Sequence, residues 1–195
     1  MTVKQRPDTA LSHVGPLPFG CSEKRGERSM HPIQEDMAEF RAQLSHGSLQ
    51  RAYYALLQYM AGLRTHFQKK YPDYALSGLY QGYMDMTYFA ILPPSLKRRD
   101  LKIAIVFNYE AFRFEAWLAG SNRKVQQKYW ELVRNGQWPA YRVVTPAKGV
   151  DSIIECNLAE DFDFADLGGL TARIEANTAE FVAHIESFLS EHDGV

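Results

Sequence analysis

Two carboxylates, Asp85 and Glu115, stand in segments that read as neighbouring β-strands, and Arg113 lies two residues before the second. Such a set could work as an acid–base pair, with the guanidinium orienting an anionic substrate. Tyr83, Thr87 and Trp117 fall at matching positions of the strand alternation. The six residues describe an aromatic-walled patch with two carboxylates, a guanidinium and a hydroxyl, which is how a small-molecule pocket can be lined. They fit better a solvated sheet face crossed by an ion network, since charged residues normally project from the solvated side of an antiparallel sheet. No signal in either segment singles out a proton donor. No residue is therefore assigned as catalytic, and the patch is read as a binding surface for a small ligand or a protein partner.

A second constellation is basic. Lys97, Arg98 and Arg99 occupy a turn with Lys102 close behind, and Arg123 and Lys124 open a helix with Lys128 one turn on. If the two groups converge they form an anion or acidic-partner site. Otherwise they are the solvated charges that turns and sheet edges normally carry.

Other chemistries find no support. Nuclease folds that place acids on adjacent strands usually add a lysine two residues after the second acid, whereas Glu115 is followed by Ala116 and Trp117. The six histidines (13, 31, 46, 66, 184 and 192) form no i, i+4 pair. His66 and His184 lie in helical stretches and suit a carboxylate or solvent partner better than a metal. There is no G-x-S-x-G elbow and no glycine loop of the phosphate-cradling kind. No metal and no cofactor are expected. A formal net charge of -1 offers no global basic footprint for nucleic acid. The two cysteines, Cys21 and Cys156, are too far apart to suggest a disulfide framework or metal spacing, so two free thiols in the cytoplasm are expected. No apolar run approaches the roughly 20 residues of a membrane span, and the N-terminus lacks a secretory apolar core.

The elements that must position these residues can be read from periodicity. Three segments rich in β-branched and aromatic residues (79–92, 101–107 and 112–118) are separated by turn material and predict an antiparallel meander. Alternation predicts that Tyr80, Met84, Met86, Tyr88, Ala90 and Leu92 share the helix-facing side, with Phe112, Phe114, Ala116 and Leu118. Tyr83, Asp85, Thr87, Arg113, Glu115 and Trp117 are left for the second face.

Before the meander, Ile33, Met37, Phe40 and Leu44 give one apolar stripe behind Pro32, and Gly47 stops that helix. Ser48 is the expected cap of a longer helix marked by Leu49, Tyr53, Leu56, Met60, Leu63 and Phe67, ended by Tyr71-Pro72. After it, Ser121 or Asn122 caps a helix carrying Val125, Tyr129, Leu132 and Val133. Short strands follow at 141–145 and 152–158. A final helix from about Asp166 shows Leu170, Ile174, Thr178, Phe181, Ile185 and Phe188.

Residues 1–29 hold several Pro and Gly, a charged run and no periodicity, and are expected to be a flexible tail. Met30, at its end, is an alternative start of translation. The expected organisation is one α+β domain over 30–195, with helices mainly on one face of a mostly antiparallel sheet. A sheet covered on both faces is the alternative, favoured by the apolar run Ile103 to Phe107.

The strings Tyr71-Pro72-Asp73-Tyr74, Leu79 to Phe89, Leu101 to Phe107 and Arg113 to Gly120 resemble an uncharacterised family of bacterial proteins, a domain of unknown function. The resemblance covers about residue 30 to the C-terminus. It implies no activity and transfers no catalytic residue. Three readings follow: a binding protein without catalysis, an enzyme using Asp85, Glu115 and Arg113, and a homodimer sealed by an apolar face.

Overall fold

The computed structural model describes residues 33–136, 138 and 140–192. The tail expected over 1–29, the helix start at Pro32, Cys21, His13 and His31 lie outside the described residues. Helix α1 spans Ile33–Ser45 and α2 spans Ser48–Lys70. Gly47 joins them with a φ of 68°, a left-handed conformation that glycine adopts at little cost. It also occupies the cap position expected for Ser48, which is instead the first helical residue. The α2 stripe buries Leu56, Tyr59, Met60, Leu63 and Phe67, and Tyr71 caps the helix as Pro72 requires.

Strands β1 (Ala75–Leu76), β2 (Tyr80–Gln81) and β3 (Met86–Leu92) follow, then a single helical turn α3 (Pro94–Lys97) that buries Leu96. The long hairpin strands β4 (Leu101–Asn108) and β5 (Arg113–Gly120) precede α4 (Arg123–Asn135), β6 (Arg142–Val143), β7 (Ser152–Ala159) and α5 (Leu167–His192). The sheet order is β1-β3-β4-β5-β7-β6, with β2 also paired to β3, and every pairing is antiparallel.

The strand expected over 79–92 is in fact a hairpin. Tyr80 pairs with Tyr88 and Gln81 with Thr87. Met84 turns the chain with a φ of 61°, and the Gly82 amide bonds back to the Met86 carbonyl at 3.0 Å. Asp85 supports the turn by accepting the Met86 amide at 2.7 Å. β1 is a further strand that its two-residue length hid from periodicity.

Register carries the faces across the sheet. Thr87 lies opposite Phe107, which lies opposite Phe114; Phe89, Ile105 and Ala116 form the next row. This face meets the helices: Phe67 of α2 packs on Phe89 at 5.9 Å between ring centroids, and Tyr59 packs edge-on to Phe114 at 5.6 Å. On β3 the faces are therefore the reverse of those expected. Phe89 and Ile91 turn inward with Thr87, while Tyr88 turns outward and packs on Tyr80 at 5.0 Å. The architecture is α+β, with α2, α4 and α5 packed against one face of an open antiparallel sheet. Ala104 and Val106 on the other face of β4 are also buried, which accounts for that strand's unbroken apolar run.

Helix ends follow local chemistry. The Asn122 side chain accepts the Val125 amide at 3.0 Å and caps α4. A Cβ on Gly120 would sit 2.7 Å from the Gln126 amide nitrogen, so only glycine lets α4 start this close to β5. α5 buries all six stripe residues expected of it. Polar contacts tie it to α2: Glu175 bonds His66 Nε2 at 2.6 Å and the Tyr71 hydroxyl at 3.2 Å, with Lys70 at 3.6 Å. The His66 hydrogen bond, more than the nearby Lys70, holds Glu175 below its ordinary carboxylate range. His184 bonds the Tyr141 hydroxyl at 2.8 Å. Among the described residues, no helix is long and apolar enough to cross a membrane.

Candidate functional site

Residues i and i+2 of a strand share a face, so Arg113, Glu115 and Trp117 of β5 project together from the side opposite α2 and α5. Glu115 is at the centre. Arg113 Nε donates to its Oε1 at 2.6 Å, and Trp117 Nε1 donates to its Oε2 at 2.7 Å. Only 3% of the Glu115 side chain is exposed, against 34% of Arg113. A carboxylate taken this far from water is tolerated because both oxygens have donors and one donor is a cation.

The pattern repeats on the neighbouring strands. Glu155 of β7 lies opposite Trp117 and opposite Arg142 of β6. It accepts from the Ser152 hydroxyl at 2.7 Å and pairs with Arg142 at 3.3 Å. Here too the carboxylate is sunk, at 17% exposure, while the guanidinium stands out at 72%. Glu160 lies 3.9 Å from Arg113 at the β7 end. Val106 sits in register between Tyr88 and Glu115, and Ala104 beside Trp117. The face therefore presents aromatic and guanidinium groups above small apolar residues and sunken acids.

Three residues expected on this face are elsewhere. Tyr83 is at the tip of the β2–β3 hairpin and fully in solvent. Asp85 is in the same turn, committed to the Met86 amide. Thr87 is buried on the helix side, its hydroxyl 3.0 Å from that of Tyr109. The hairpin displaces Tyr83 and Asp85, and Thr87 turns inward because it shares the side of β3 that presents Phe89 and Ile91 to the helices. Counting three residues along the strand and two strands across, Asp85 is about 14 Å from Glu115. The two carboxylates do not meet.

The basic groups lie at one end of the sheet, where the Ser121 amide bonds the Asp100 carbonyl at 2.8 Å. Arg123 is committed to structure: its guanidinium bonds Gln126 Oε1, the Val150 carbonyl and the Ala147 carbonyl, pinning the β6–β7 loop. Arg99 bonds the Ser95 carbonyl at 3.2 Å. Lys97, Arg98 and Lys124 are exposed. The structure brings the two groups to one end of the sheet, with Arg123 and Arg99 committed to backbone carbonyls.

Tyr88, Arg142 and Glu155 belong to the face and were missed by sequence reasoning. Opposite charges at Arg142 and Glu155, on the two arms of one hairpin, were the available signal. β6 is only two residues long, so no alternation marks its register against β7 and the signal is hidden. Two open clefts lie away from the face, one of about 520 Å³ along α1 and one of about 290 Å³ beside Asp161, Asp163 and Asp166. Among the described residues, no group of three His, Cys, Asp or Glu is placed to hold a metal ion.

A family model described as a domain of unknown function, DUF7000, matches residues 33–189. No curated protein and no solved structure matches the chain.

Proposed function

The chain belongs to the DUF7000 family, and we propose that it is a cytoplasmic binding protein that holds a protein partner on the second face of its sheet, without catalysis. One observation carries the reading. In the Arg113–Glu115 and Arg142–Glu155 pairs the carboxylate is sunk and the guanidinium raised, with Trp117 and Tyr88 half-exposed beside them, while the more distant Glu160 near Arg113 is itself exposed. Arginine, tryptophan and tyrosine are the residues that supply most binding energy at protein interfaces. Glu115 fixes the rotamers of Arg113 and Trp117 before any partner arrives, which lowers the entropic cost of ordering them on binding.

The geometry favours binding over acid–base chemistry. Both Glu115 oxygens are engaged, and Asp85 is a turn residue far from it. It favours a protein over a small molecule because small ligands need concave sites, and the clefts beside α1 and beside Asp161 lie away from this face. Raised guanidiniums call for a partner surface bearing carboxylates.

The test is capture from extract by the immobilised full chain, wild type beside an Arg142→Ala, Lys102→Ala variant whose melting temperature is checked first. Lys102 is half-exposed on β4 and shares the face of Ala104 and Val106. The reading expects a partner retained by the wild type, released by salt as screened charges are, and lost from the variant. A partner bound equally by both proteins contradicts it.

A further inference from the structure

Helix α1 carries 13 residues, and none of them is buried. Ile33 is 74% exposed, Met37 53% and Phe40 48%, although all three lie on one stripe that ends in half-buried Leu44 against α2. Their spacing of four, three and four residues is the alternation of a coiled-coil seam, with Ile33 and Phe40 at d and Met37 and Leu44 at a. That register puts Asp36 at g and Arg41 at the following e. In a parallel pair of helices, g of one strand faces the next e of the other, and the charges at these positions select partner and orientation. Within one helix the two residues are five apart and do not face each other.

We propose that α1 is the homodimerisation element of this protein, pairing in parallel with α1 of a second copy across a two-fold axis. Met37 and Phe40 meet their counterparts at the centre of the seam, and two symmetric Asp36–Arg41 bridges flank it. The charge complementarity singles out a second copy as the occupant: one helix supplies both halves of each bridge. A helix of about 20 Å buries less than the roughly 800 Å² per partner of a standard interface, so the dimer is a weak one. It leaves the second face of the sheet free, and two copies would present two such faces to one partner.

Sedimentation equilibrium of the full chain up to about 200 µM tests the proposal, since weak dimers populate in that range. A monomer–dimer equilibrium is expected. Asp36→Arg and Arg41→Asp each turn two attractions into two repulsions and should weaken it about tenfold. The double variant, Asp36→Arg with Arg41→Asp, restores the bridges in reversed polarity and should recover the wild-type constant. All the exchanged side chains are exposed, and circular dichroism reports whether each variant stays folded. A monomer at every concentration overturns the proposal. So does a dimer that the single exchanges leave unchanged, or a double exchange that fails to recover it.

Discussion

Arg113 and Glu115 are two residues apart on one strand and joined by a 2.6 Å hydrogen bond, with the acid nearly buried and the base one-third exposed. The pair is internally satisfied, because Trp117 fills the remaining oxygen. Its polar atoms depend on one another. Glu115→Ala leaves the Arg113 and Trp117 donors without their acceptor and is expected to cost about 1–3 kcal/mol. For a chain of this length that lowers the melting temperature by several degrees. Adding Arg113→Ala should cost less than the two single changes summed, since the second change removes a group already orphaned. Strict additivity in that cycle would mean the bond contributes nothing.

Thr178 is buried in α5, and its hydroxyl has no hydrogen-bond partner among the described residues. Thr178→Val keeps the shape and removes the unsatisfied group. It should raise stability by about 1 kcal/mol, read from urea denaturation. A loss of similar size would show that the hydroxyl is bonded in solution.

Glu175 gives the fold an acid-sensitive tie between α2 and α5. Its folded value lies below the ordinary 4.5, chiefly through the His66 hydrogen bond. Above 4.5 the carboxylate is charged in both folded and unfolded chains, and its contribution to stability is complete. As pH falls below 4.5 the unfolded chain takes up the proton first, and the contribution drains away until the folded value is passed. Melting temperatures measured from about pH 6 to pH 3 should fall less steeply for Glu175→Gln than for the wild type. Parallel curves would remove Glu175 from the acid response.

The Cys156 thiol is pushed up to about 11, first by burial and then by Glu180. The thiolate is the reactive form, so the native protein should resist alkylation at this position near neutral pH. Mass spectrometry of the Cys156 peptide, before and after unfolding in urea, checks this. Rapid native labelling would mean that the α5–β7 contact opens readily.

Much of the fold was legible because it rests on strong periodicities. The α5 stripe, the α2 stripe and the β4–β5 pairing each repeat over enough residues for side-chain spacing to fix a face. The β2–β3 hairpin was not legible. Tyr80, Tyr88 and the residues between them are all plausible in one strand, and the turn depends on Met84 adopting a positive φ, for which methionine gives no signal. That one turn moved Asp85 and Tyr83 off the site. The inversion of β3, which carried Thr87 to the helix side, lies instead in which of two apolar-rich sides meets the helices: Phe89 and Ile91 win over Tyr88. Arg113, Glu115 and Trp117 stayed together because i, i+2 spacing needs nothing beyond a strand. The Arg142–Glu155 half of the face depended on the pairing of two-residue β6 with β7, where local patterns carry no register.

The surface proposed to hold a partner is the second face of the sheet. A photo-crosslinking residue placed at Lys102, half-exposed at the start of β4 on that face, tests it in cells producing the full chain, with the same residue at exposed Arg173 on α5 as control. A discrete adduct from position 102, absent from position 173 and absent when Arg142→Ala is added, is the expected result. An adduct from position 173 alone, or none from position 102, would contradict the account.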